Sequence, residues 1–249
     1  MKWNRSEIDY LSPILEQIAS DLGPVEGKKL LVLCSASGEV ALRLAEMMEF
    51  GHVTGLELDP EALEIARRSA HEMGLDDLVE FKPAEKQTIS TPDASYDGLV
   101  SEFIVYPTST PTEIGQPEMA RVLRPGARLV LTDVIVTFPL IQNVRQELTS
   151  LGLDYLCEAT VVDFRNWMLD AGMINIEVID LTSTLRKVWE NRRQDDKNPQ
   201  HQRAYYHLLD DPLTSLDKAI FYIYVRGEKP KNPPSLSALQ KESQDNPTE

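Results

Sequence analysis

The sequence predicts an α/β fold in which a largely parallel sheet is covered by helices on both faces, a doubly wound arrangement. Three observations carry that reading. Short apolar runs alternate with amphipathic segments from Lys28 to about Val136. Turn and cap residues (Gly23-Pro24, Asp59-Pro60, Gly74, Pro125-Gly126) fall between them. A last strong apolar run, "AIFYIYVRG" at 219–227, follows a looser helical region.

Residues 1 to about 23 place Ile8, Leu11, Ile14, Leu15 and Ile18 at helical spacing, and Gly23-Pro24 ends the helix. "KLLVLC" is the first strand, and the helix after it sets Val40, Ala41, Leu44, Ala45 and Met48 on one face. "HVTGLEL" is the second strand. Asp59 caps the next helix, Pro60 opens it, Leu63, Ala66, Ala70 and Met73 form its apolar face, and Gly74 closes it. "LVEF" (78–81) and "GLVSEFIV" (98–105) are strands three and four. A helix over 117–123 stops at Pro125-Gly126, and "ARLVLTDVIV" (127–136) is strand five. Helices are expected near 142–151 and 162–171, and a strand over 174–181. Residues 183–216 read as a polar helical insertion. The chain thus divides into an N-terminal helical lid (1–24), a main domain (25–229) carrying the insertion as a cap (183–216), and a Pro-rich polar tail (230–249) expected to be disordered.

Composition narrows the partners. A net charge of −15, from 25 basic and 40 acidic residues, disfavours nucleic acid and anionic membranes, which select for Lys and Arg. No apolar run reaches the roughly 18 to 20 residues that span a bilayer. The start lacks the pattern of a secretory signal, and Cys34 and Cys157 are the only cysteines, so a reducing cytoplasm is expected. A small molecule is the expected partner. The four histidines show no metal-ligand spacing, and no metal is expected.

The first strand runs into "CSASG" (34–38), where a ligand in an open parallel sheet would meet the backbone. Close approach favours glycine; here Cys34, Ser35, Ala36 and Ser37 are small and Gly38 remains. About 20 residues further on, Glu57 ends the second strand, where a carboxylate can accept both hydroxyls of a ribose. Each signal also has a structural reading, as an ordinary strand–helix connection and as a solvated strand end.

Together, residues 28–136 resemble the class I S-adenosylmethionine-dependent methyltransferases, in particular the branch with quinone, sterol and arsenite methyltransferases. "LLVLCSASG" (30–38) is similar to the family's "VLDxGCGxG", and "GLELDPEALEIAR" (55–67) to "GxDxSxxxLxxAR". "AEKQTISTPDASYD" (84–97) is similar to "GDAxxLPFPDxSFD", and "EMARVLRPGARLVLTDV" (118–134) to "ExxRVLKPGGxLxxxD". The resemblance implies a Rossmann-like sheet of seven strands with an antiparallel last strand. It also implies S-adenosylmethionine as cofactor. Cys34, Ser35, Ala36, Ser37 and Gly38 would wrap its methionine part, and Glu57 with Leu58 would hold its ribose. Glu85 and Lys86 would meet its adenine, and Ser101 would lie beside the transferred methyl. Val32 stands where the family pattern has an acid, and Cys34 and Ala36 replace its first two glycines.

Methyl transfer from a sulfonium is a direct displacement that asks the protein for alignment and exclusion of water. Glu102, Tyr106 and Asp133 are the candidates for removing a proton from an acceptor hydroxyl or amine, each at or just past the end of a strand. Trp3, Tyr10, Trp189, Tyr205 and Tyr206 would wall the acceptor pocket or pack in the core. Cys157 has a counterpart in arsenite methyltransferases, which need more thiols than this chain has, so it reads as a buried core thiol. Two other functions fit the same residues: a nicotinamide-dependent oxidoreductase, and a non-catalytic binding module that keeps the fold.

Overall fold

The computed structural model describes residues 5–33, 38–85, 87–102, 114–151, 153 and 156–232. Among these residues the chain runs α1 (Arg5–Leu22), β1 (Lys29–Leu33), α2 (Glu39–Glu46), β2 (His52–Glu57), α3 (Pro60–Glu72) and β3 (Val79–Pro83). It continues with β4 (Tyr96–Glu102), α4 (Gln116–Val122), β5 (Leu123–Val136), α5 (Gln142–Thr149), β6 (Cys157–Glu158) and α6 (Val161–Asp170). The last elements are β7 (Ile174–Asp180), α7 (Thr182–Asp195), α8 (Pro199–Leu209), a 3₁₀ turn (Leu216–Lys218) and β8 (Ile220–Glu228).

Local chemistry sets several boundaries. The Asp59 side chain accepts from Glu61 N at 2.9 Å and Pro60 opens α3, so the helix starts where its first free N–H is satisfied. Thr160 and Asp163 form a reciprocal capping box on α6. Gly38 begins α2 at φ +72, and a Cβ there would lie 2.5 Å from Phe81 Cε1. Only glycine fits that position.

The strands form one sheet in the order β3-β2-β1-β4-β5-β8-β7, with the two-residue β6 pairing the end of β5. Strands β1 to β5 are parallel, and β8 runs antiparallel to both β5 and β7. The last strand is therefore antiparallel, inserted between β5 and the edge strand β7. Strand order reverses between β1 and β4, where ligands of open α/β sheets bind. Both faces are covered. Leu30 and Val32 of β1 pack in the core beneath α1, α2, α3, α5, α7 and α8; Leu31 and Leu33 pack in the core beneath α4 and α6.

The C-terminal half of α1 is fixed to the sheet by polar contacts. Buried Asp21 accepts from Tyr224 Oη at 2.6 Å, from Gln17 Nε2 at 3.0 Å, and from Arg226, which also pairs with Glu177. Arg128 Nη1 donates to the Asp21 carbonyl at 2.6 Å, and Lys28 Nζ to the Leu22 carbonyl at 2.7 Å.

The structure corrects several boundaries. Strand β5 begins at Leu123 and passes through Pro125-Gly126, which therefore do not precede it. Its pairing with β4 shifts between Tyr96 and Gly98, and the irregularity tolerates a residue with no N–H to donate. The strand also outruns β4, so Asp133 lies inside it and not past its end. Strand β6 had no sequence signal, since two residues make no periodicity. The polar insertion forms two helices, α7 and α8, with Trp189 and Tyr205 buried in the core and Tyr206 exposed. Among the described residues no helix is long and apolar enough to cross a membrane. Trp3 and the tail from residue 233 lie outside the described residues.

Candidate functional site

The register places the ends of β2, β1 and β4 side by side. Leu33 of β1 pairs with Leu56 of β2 and with Ser101 of β4. One step further, Glu57 pairs with Pro83 and Glu102 with Thr132. Gly38 follows β1, Glu57 and Leu58 end β2, Glu85 follows β3, and Ser101 and Glu102 end β4. One rim of the sheet thus carries all of these sequence-predicted positions. Cys34, Ser35, Ala36, Ser37, Lys86 and Tyr106 lie outside the described residues.

Glu57 is the most informative of them. Its side chain is buried, and Oε1 accepts from Leu58 N at 2.8 Å and Asp59 N at 3.0 Å. Oε2 is buried as well and has no hydrogen-bond partner among the described residues. Burial pushes the carboxyl up to about 7, against the two backbone N–H groups that favour its charged form. A buried polar atom left unsatisfied costs stability, and such atoms mark places where a ligand completes the bonding.

Other polar groups near the same rim share that state. Ser101 is fully buried and its Oγ has no partner among the described residues; the same holds for Thr132 Oγ1 and for both amide ends of Gln116, which opens α4. Asp133 is buried and accepts from its own neighbour Val134 N at 2.7 Å. Glu85 is exposed, with Thr88 Oγ1 at 3.5 Å, and Leu58 is exposed as well. Sequence reasoning passed over Thr132 and Gln116, because a polar residue in an apolar strand or at a helix start carries no signal until burial is known. Among the described residues no group of three or more His, Cys, Asp or Glu side chains is placed to hold a metal ion.

The site fits an adenosyl cofactor on these observations: Glu57 Oε2 is a buried acceptor with no partner among the described residues, as a ribose hydroxyl needs, and Gly38 stands at the start of α2 where no Cβ fits. A family model described as a methyltransferase domain matches residues 24–206, and the chain belongs to that family. It is 27% identical over 175 residues, 70% of this chain and 62% of the relative, to the O-methyltransferase cnsE of Penicillium expansum. It is 31% identical over 133 residues, 53% of this chain and 54% of the relative, to the demethylmenaquinone methyltransferase of Thermus thermophilus. The chain therefore spans less than two thirds of the length of these relatives. The solved structure of a geranyl diphosphate methyltransferase in complex with SAM superimposes with a TM-score of 0.70 at 17% identity, covering 90% of both chains. The fold is that of the class I methyltransferases.

Proposed function

We propose that the chain is an S-adenosylmethionine-dependent methyltransferase that acts on a small molecule in the cytoplasm. The observation that carries this is Glu57: a buried carboxylate at the end of β2, one oxygen tied to the backbone and the other without a partner among the described residues. In this reading Glu57 accepts the ribose hydroxyls, with Leu58 against the sugar. The turn Cys34, Ser35, Ala36, Ser37 and Gly38 keeps the backbone close to the methionine part. Glu85 and Lys86 meet the adenine. When bound, the cofactor supplies a methyl group activated for displacement by its attachment to a sulfonium.

The chain's own residues then align the acceptor and exclude water. Ser101, buried on β4, offers an unsatisfied hydroxyl to the reacting region. Glu102, Tyr106 and Asp133 are the proton-accepting candidates, and Asp133 is already oriented by its bond from Val134 N. Helix α1, bolted down through Asp21 at one end, serves as the lid, and α7 with α8 as the cap. The net charge of −15 supports a small-molecule acceptor over nucleic acid. The similarity to an O-methyltransferase and a demethylmenaquinone methyltransferase supports the same substrate class.

A second reading, a binding module without turnover, is favoured by one observation. Val32 is buried in β1 at the place where the family pattern has an acid, so that anchor for the cofactor's amino-acid end is missing.

Calorimetry with S-adenosylmethionine, S-adenosylhomocysteine and NADH, on the wild type and on Glu57→Ala, tests the assignment. Micromolar binding of the adenosyl ligands, lost in the variant, is expected. Absence of adenosyl binding in the wild type overturns the methyltransferase reading, and binding of NADH instead would replace it with an oxidoreductase. Turnover with any acceptor excludes the binding module.

A further inference from the structure

The run "EMARVLRPG" is the most specific match to the family pattern, and its charged side chains Glu118 and Arg121 bond to the β3–β4 connection. Arg121, in the last turn of α4, donates from Nη1 to the Thr91 carbonyl at 2.9 Å and to Asp93 Oδ1 at 2.6 Å. Nη2 donates to the Ile89 carbonyl at 2.9 Å, and Nη2 and Nε fork onto Glu118 at 2.8 and 2.7 Å. Glu118 Oε1 in turn accepts from Ile89 N at 2.7 Å. One side chain thus gathers three points of the β3–β4 connection and binds them to α4. Lysine could not do this, since it has no planar fork.

The connection leaves β3 at the rim. Ala84 N donates to the Glu57 carbonyl at 2.8 Å, so the segment starts from a bond to the ribose-binding residue. Its other end is Ile89, buried in the core and held on both its N–H and its carbonyl by the Glu118–Arg121 pair. Glu85, Gln87 and Thr88 follow the first anchor and precede the second. Gln87 is held at φ +72, a conformation a non-glycine residue keeps only when its surroundings impose it. With Glu57 on the ribose and the β1 turn on one side, the β3 side is left for the base.

We propose that Arg121 and Glu118 are positioning residues that hold Glu85 in place for the base by fixing Ile89 on the same connection, so that selectivity for adenine depends on a clamp that never touches the ligand. This rests on the methyltransferase reading, with Glu85 facing the exocyclic amino group. Losing the clamp frees Ile89 and lets Glu85 drift, while the ribose and methionine contacts stay in place. The signature is therefore a change in base discrimination and not only in affinity.

The test compares S-adenosylhomocysteine with S-inosylhomocysteine, which lacks the exocyclic amino group, by calorimetry on the wild type, Arg121→Met and Arg121→Lys. Amide exchange over residues 87–91 and thermal melting are followed in the same proteins. The wild type is expected to prefer the adenine ligand by about tenfold, the weight of one hydrogen bond to a charged group. Both variants are expected to lose most of that preference and to exchange faster at 87–91 with a retained cooperative melt. Arg121→Lys keeps charge and helix propensity, so it answers the question if Arg121→Met fails to fold. Retention of the preference in either folded variant overturns the clamp alone. A wild type that binds neither ligand overturns the methyltransferase reading, and the clamp with it.

Discussion

Asp21 and Glu57 are both buried carboxylates, one beside the starting end of β5 and the other at the finishing end of β2. Their bonding differs. Asp21 has partners on both oxygens, from Tyr224, Gln17 and Arg226. Burial alone would raise its pKa, but those hydrogen bonds outweigh it and hold the carboxyl below its ordinary 3.8. Glu57 has backbone partners on one oxygen only, and burial takes it from 4.5 up to about 7. A satisfied buried carboxylate is part of the scaffold. An unsatisfied one is a place where the fold has given up stability, and a ligand restores the missing bonds.

The comparison breaks first at Glu57. In Glu57→Gln one oxygen acceptor and the charge are lost, and binding of S-adenosylhomocysteine should weaken about 100-fold, roughly 3 kcal/mol. Calorimetry at pH 8 reads this; a change under threefold would remove Glu57 from the site. Asp21→Ala should do the opposite, costing about 2 to 3 kcal/mol of stability in urea unfolding and leaving ligand affinity within a few-fold. The figure sits below that of a fully buried pair because Arg226 is partly exposed and keeps Glu177.

Titration sharpens the contrast. The ligand-free fold keeps a proton on Glu57 that the unfolded chain releases near 4.5. That contribution is fully present below 4.5 and is lost as pH rises through about 7. Wild type should therefore lose about 2 kcal/mol relative to Glu57→Gln between pH 5.5 and 8.5. Ribose hydroxyls donate to the charged form, so adenosyl-ligand affinity should run the other way, falling about tenfold per pH unit below 7. Asp21 contributes stability above 3.8 that disappears as pH drops through its lowered folded value. An affinity independent of pH between 5.5 and 8 would contradict the buried, unpaired state of Glu57. The smallest effect is Tyr224→Phe. It removes one of the donors to Asp21 and should cost about 1 kcal/mol in urea unfolding, with no change in ligand binding.

Much of this was legible in the residues. The α/β alternation, the Asp59-Pro60 start of α3 and the positive φ open to glycine at position 38 are local matters. They rest on side-chain period, capping oxygens and backbone φ, each decided within a few residues. Glu57 stood out because its place at a strand end follows from the same local pattern. Arg121 and Glu118 were visible as an i,i+3 pair in "EMARVLRPG", but their spacing says only that they share a helix face, not that they hold a loop some 30 residues earlier. Asp21 gave no signal in the sequence. Two of its partners, Tyr224 and Arg226, lie more than 200 positions away.

The sequence by itself determined most of the strands and helices and the strand-end positions of Glu57, Ser101 and Glu102, because hydrophobic period and turn chemistry act over short distances. Only the tertiary structure decided that β8 enters between β5 and β7, that Trp189 and Tyr205 belong to the core, and that β5 runs through Pro125-Gly126. It alone separated the buried carboxylate with a full set of partners from the one without. Burial and hydrogen-bond satisfaction are properties of neighbours in space, and the chain brings those neighbours together only when it folds.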